Sequence, residues 1–109
     1  MSNREERVAR NEAASREINE EIDEAHQETP PGRHIRMLCE CGHETCDRTV
    51  AITPAEYERV RSDARQFVVM RDHVMEEVER VVSDTDRFVV VTKREGSPAE
   101  VATDTDPRT

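Results

Sequence analysis

The chain has 109 residues, a formal net charge of −9 from 16 Lys and Arg against 25 Asp and Glu, 38% charged residues and no Trp. That length allows one small domain, and Val, Ile, Leu and Phe supply only 20 of the 109 residues, which lies at the compositional edge of disorder. The charge divides as −4 over residues 1–33, −3 over 34–95 and −2 over 96–109, so no segment attracts a phosphate backbone and direct nucleic-acid binding is disfavoured.

Sixteen of the 20 strong apolar residues lie between Ile35 and Val91, so only the middle of the chain is expected to form a globule. A core that small usually needs a disulfide, a metal or a partner, and all three Cys fall inside it. The longest apolar runs, residues 67–70 and 88–91, are far short of the roughly 20 residues that cross a bilayer, so no membrane span is expected. Residues 1–7 lead into charge rather than an apolar segment, so no export signal is expected and the predicted compartment is the cytoplasm. Three thiols in a reducing compartment cannot all pair within one chain, and there they more often bind metal or do redox work.

In chain order, residues 4–27 hold no Gly or Pro, and Asn3 as N-cap with Glu5 and Glu6 in the first turn predicts a helix of about six turns. Its expected seam is Val8, Asn11, Ser15, Ile18, Ile22 and Ala25, weakly apolar and suited to docking on the domain, on a second copy or on another protein. Residues 29–33, with Pro30, Pro31 and Gly32, form a linker. Residues 34–38 and 49–52 read as a hairpin with an enlarged, Cys-bearing tip. Thr53, Pro54 and Glu56 make a capping signature for a helix to about Ser62, with Tyr57, Val60 and the stem of Arg61 on its buried face.

Residues 67–70 read as a central strand. Val74, Val78, Val81 and Val82 recur at helical spacing and predict a second short helix, and residues 87–93 predict the last strand. From Gly96 onward no period is visible, and a disordered tail is expected. The expected fold is α+β: a helical arm (1–28), a linker (29–33), a small zinc-stapled domain of about four short strands and two short helices (34–95), and a tail (96–109).

The chemistry concentrates in Cys39-Glu40-Cys41-Gly42-His43-Glu44-Thr45-Cys46. Cys39 and Cys41 share one side of an extended chain, and Gly42 permits a reversal that returns Cys46. Zinc takes four ligands in a tetrahedron, so a fourth must come from His or a carboxylate. His26 in the arm and His34 before the strand are poorly placed. His43 is inside the loop but competes with the turn that gathers the thiols, whereas His73 follows the strand 67–70 and would reach the loop if that strand lies beside the hairpin. His73 is the favoured ligand, with His43 the alternative.

The pattern Cys39-x-Cys41-x4-Cys46, Thr53-x2-Glu56-Tyr57-x2-Val60-Arg61, Phe67-Val68-Val69, His73, Glu79-x-Val81-Val82 and Val89-Val90-Val91-x-Lys93 resembles a family of small proteins common in high-GC Gram-positive (actinobacterial) bacteria. The resemblance spans residues 33–93 and the helix around 11–22. It implies a metal set of Cys39, Cys41, Cys46 and His73, and no settled biochemical role. The family carries Pro-Gly before this His, where the present chain has Arg71-Asp72. Fifteen Arg to one Lys agrees with a high-GC genome.

Three thiolates and an imidazole fill a zinc tetrahedron and leave no position for a reactive water, so the expected role is a structural zinc in a protein-interaction or regulatory module. The alternative is a thiol-based redox sensor that releases zinc on oxidation. No catalytic motif is visible: there is no nucleophile elbow, no phosphate loop and no zinc-deaminase signature, and an enzyme is not expected. The partner is expected to be another protein meeting the N-terminal helix or the acidic surface, with a homodimer possible in principle.

Overall fold

A computed structural model of the chain describes residues 3–108. In order come α1 (Asn3–Ala25), β1 (Ile35–Leu38), β2 (Thr49–Ile52), α2 (Pro54–Arg61), β3 (Gln66–Val69), a 3-10 turn (Arg71–His73), β4 (Glu79–Asp84), β5 (Val89–Lys93) and α3 (Ser97–Asp104). Among the described residues the strands form an antiparallel hairpin, β1-β2, and an antiparallel three-stranded sheet ordered β3-β5-β4. The fold class is the α+β expected. Three of its parts differ from the sequence reading.

The hairpin has the predicted form, with Ile35 opposite Ile52 and Leu38 opposite Thr49. The capping box before α2 is complete, since Glu56 N–H donates to Thr53 Oγ1 at 3.1 Å and Thr53 N–H donates to Glu56 Oε1 at 2.8 Å. Arg87 adds a bond to Glu56 Oε2 at 2.7 Å, and this guanidinium holds the Glu56 carboxyl down at about 2. Tyr57, Val60 and Arg61 are buried, as their spacing predicts.

The central strand is β5 and not β3. Every residue of β5 is buried, and the core divides across its two faces. Val68, Phe88 and Val90 pack with Met37, Val50, Ile52, Tyr57 and Val60, while Phe67, Val69, Val89 and Val91 pack with Cys39, Cys41 and Ala102. The helix predicted over Val74 to Val82 is replaced by a turn and β4. A bulge shifts the register between Val81 and Ser83, so the two-residue alternation of this strand is broken at Val82. The break makes Val78, Val81 and Val82 imitate helical spacing, whereas valine's branched side chain favours the extended backbone.

The expected disordered tail contains α3, and of the dockings open to the helical arm the structure shows the one on the domain. Polar residues of α1 make most of the directed contacts, beside Val8, Asn11 and Ile22 of the predicted seam, which are half-buried against the domain. Glu12, Arg16, Asn19 and Asp23 are buried, while Ile18 is 45% exposed and Ala25 faces solvent. Arg16 donates to the Ala64 carbonyl at 2.6 Å and the Ala102 carbonyl at 2.7 Å, and its guanidinium lies 4.5 Å from the Phe67 ring centre. That carbonyl of Ala102 belongs to α3. Asp106 pairs with the buried Arg61, and Arg108 bonds Glu20 at 2.7 Å and Glu58 at 2.7 Å. The last segment is therefore fixed by directed polar contacts that leave no apolar period to read.

Lys93, buried at the end of β5, joins α1 to the sheet by pairing with Glu12 and with Glu79, the latter at 2.5 Å. Burial pushes the Glu12 carboxyl up to about 7, against the pull of Lys93. A carboxyl raised in the folded state binds its proton more tightly there, so folding is favoured at acid pH and this contribution is lost as pH rises through about 7. Relative to wild type, Glu12→Gln is therefore expected to gain in Tm between about pH 4.5 and about pH 7 and to level off above that, read by thermal circular dichroism with metal present. A difference that stays flat over that range would show that Lys93 keeps Glu12 ionised throughout.

Candidate metal centre

Cys39 directly follows β1 and extends the hairpin ladder, its N–H donating to the Arg48 carbonyl at 3.0 Å. Cys41 lies two residues on, and the chain then turns, with the Cys46 N–H donating to the His43 carbonyl at 3.2 Å. His73 arrives from another part of the sequence, in the 3-10 turn that follows β3, where its N–H donates to the Met70 carbonyl at 2.9 Å. Sequence separation is bridged because the Cys loop lies along the outer edge of β3. Glu40 N–H donates to the Val68 carbonyl at 2.7 Å, and Met70 N–H donates to Cys39 Sγ at 3.1 Å.

The four side chains favoured by sequence meet. His73 Nδ1 lies 3.5 Å from Cys39 Sγ, 3.5 Å from Cys41 Sγ and 3.4 Å from Cys46 Sγ. All four donor atoms fall within 4.8 Å of one another, a group that can hold a metal ion. Bond lengths of about 2.3 Å to sulfur and about 2.0 Å to nitrogen, at tetrahedral angles, separate the two kinds of donor by about 3.5 Å. The sulfur-to-nitrogen distances therefore match a single tetrahedral ion.

The remaining histidines stand apart from this set. His26 Nδ1 lies 2.7 Å from the Ile22 carbonyl at the end of α1, and His34 is exposed before β1. His43 is exposed, its ring edge-on to His73 with centres 5.2 Å apart, and it neighbours the cluster without joining it. The absent Pro-Gly before His73 does not prevent the turn, because Arg71-Asp72-His73 forms a 3-10 turn of its own.

Cys39 and Cys41 are buried and Cys46 is half-buried. As free thiols the three are unequal. A hydrogen bond from Cys39 drives the Cys41 thiol down to about 4, while that same bond and burial push Cys39 up, and burial pushes Cys46 up. A divalent cation removes the inequality by stabilising all three as thiolates at once.

Two contributions were not read from the sequence. Gly42 was expected to serve the reversal of the loop, but its φ is not in the left-handed region, and what it supplies is room. A Cβ there would stand 2.3 Å from Val8 Cγ1, so α1 can cross the loop only over a glycine. Asn11 Nδ2 adds a bond to the Gly42 carbonyl at 3.3 Å. Glu40 is the second. A charged residue between two metal-facing cysteines on an extended chain must point the other way, and that alternation was the available signal.

Comparison with family models, with curated proteins and with solved structures finds no match for this chain.

Metal analysis of the purified protein is expected to give one equivalent per chain, lost in Cys46→Ser and in His73→Ala and retained in His43→Ala. Loss in His43→Ala with retention in His73→Ala would reassign the nitrogen ligand.

Proposed function

We propose that Cys39, Cys41, Cys46 and His73 hold a structural zinc ion and that the protein works as an interaction or regulatory module rather than as an enzyme. The carrying observation is the near-equal approach of His73 Nδ1 to three sulfurs, 3.4 to 3.5 Å. Thiolate-rich tetrahedral sets suit zinc, and four protein donors leave no place for the water that a catalytic zinc activates. Binding energy at such a site is folding energy, which suits a chain with so few strong apolar residues. The partner we infer is another protein, met through the outward face of α1 or the acidic surface, in the cytoplasm. The net charge of −9 argues against direct nucleic-acid binding. No helix among the described residues is long and apolar enough to cross a membrane.

One observation favours a second reading. Cys46 is the ligand sulfur open to solvent, so an oxidant reaching it would convert the thiolate to a sulfenic acid that Cys39 or Cys41 can resolve to a disulfide, with release of zinc.

The two readings separate in one experiment. Removing the metal with a chelator is expected to raise hydrogen exchange over residues 38–46 and over α1, and zinc should restore protection. If mild peroxide produces the same pattern, reversibly with a thiol reductant, the sensor reading gains; if peroxide leaves zinc in place, the site is structural alone. Unchanged exchange on metal removal would overturn the structural role.

A further inference from the structure

Glu40 is fully buried between two cysteines whose sulfurs face the metal position. Its carboxylate points to the opposite side and there gathers donors from three elements. Tyr57 of α2 donates its hydroxyl to Oε2 at 2.7 Å, Asn19 of α1 donates Nδ2 to Oε2 at 2.9 Å, and Val68 of β3 donates its N–H to Oε1 at 3.0 Å. The Glu40 N–H completes the set, donating to the Val68 carbonyl at 2.7 Å. Asn19 also clamps the residue before Cys39, accepting from Leu38 N–H at 2.8 Å and donating to the Leu38 carbonyl at 2.9 Å.

We propose that Glu40 is the positioning residue of the metal centre, fixing Cys39 and Cys41 by holding the strip of backbone between them against α1, α2 and β3. This rests on the metal-binding reading above.

The physical argument has two parts. A carboxylate is costly to bury, and burial is tolerable here because every bond it makes is to a donor that would otherwise be left unpaired. Those bonds all act on residues 38–41, so they bias the two buried sulfurs toward their places and leave less ordering for coordination to supply. Charge complementarity is not the reason for the carboxylate. Three thiolates and a neutral imidazole around a dication already sum to −1, so a nearby anion is useful only for its hydrogen bonds. Glutamine at this position keeps an acceptor for Val68 but turns an amide N–H2 toward Asn19 and Tyr57, and alanine abandons all three donors.

The test is zinc affinity of the full chain by competition with a chromophoric chelator at fixed pH, together with the visible spectrum of the Co2+ form. Glu40→Gln is expected to weaken zinc about tenfold and Glu40→Ala about a hundredfold, the span seen when a ligand's supporting bonds are removed. The cobalt bands should shift or broaden in both. Ile52→Ala, a core truncation at the end of the β1-β2 hairpin away from Cys39, serves as the control for lost stability and should leave affinity and spectrum as in wild type. If Glu40→Ala does not fold, Tyr57→Phe removes a single hydroxyl and carries the same test, with a loss of about threefold or more. Zinc affinity within twofold of wild type in Glu40→Gln and Tyr57→Phe, alongside lowered Tm, would overturn the proposal and leave Glu40 a core residue only. A wild-type chain that binds neither zinc nor cobalt would instead sink the metal reading and this inference together.

Discussion

A strand edge presents N–H and carbonyl groups that must find partners, and the outer edge of β3 finds them in the cysteine loop rather than in another strand. The Val68 carbonyl takes the Glu40 N–H, the Val68 N–H takes the Glu40 side chain, and the Met70 N–H takes the sulfur of Cys39. A glutamate side chain and a cysteine sulfur thus act as pieces of a β-ladder. The meeting of the four donor side chains follows from this join, because the edge of β3 is held beside the loop and the turn after it delivers His73 to the sulfurs.

The alternation of an extended chain explains how one short segment can serve two environments. Cys39 and Cys41 face the metal position and Glu40 faces the core, so the segment is at once the wall of a site and the seal of the sheet edge. Coordination would tie residues 39–46 to residue 73 across a long stretch of chain that includes β2, α2 and β3. Closing so long a loop is entropically costly in the unfolded chain, and a cross-link there favours the folded state in the manner of a disulfide. The same sulfurs belong to the apolar cluster formed by Phe67, Val69, Val89 and Val91, so the proposed staple and the core are one body and not neighbours.

The parts legible in the sequence were those governed by a local rule. Thr53 and Glu56 announce a helix start because their bonds reach only three residues, and the Cys spacing on a strand end brings sulfurs together whatever surrounds them. His73 was readable because a short apolar run ends just before it. β4 was misread because its bulge at Val82 removes the two-residue period on which strand recognition depends. The polar contacts of α1 and the docking of α3 were unreadable for a deeper reason. Arg16 and Asn19 look like solvated residues, and nothing local tells that the carbonyls of Ala64 and Ala102 and the backbone of Leu38 wait for them.

That polar interface gives α1 a particular physical character. Buried hydrogen bonds contribute modestly in net terms but are expensive to leave unmade, so they specify one geometry more strongly than they stabilise it. An apolar seam could slide by a turn and lose little, whereas Asn19 must meet both Leu38 and Glu40, and Gly42 must lie under Val8. The seat of α1 is therefore only as well defined as residues 38–42, and those residues are the ones that coordination of Cys39 and Cys41 would fix. The outward face of α1, with Ile18 exposed among charged neighbours, is then a surface whose placement depends on the centre beneath it. Coordination at the four donors would be coupled to the helix through a few directed bonds, so in the proposed interaction module a partner on this face would sense the occupancy of the site without touching it.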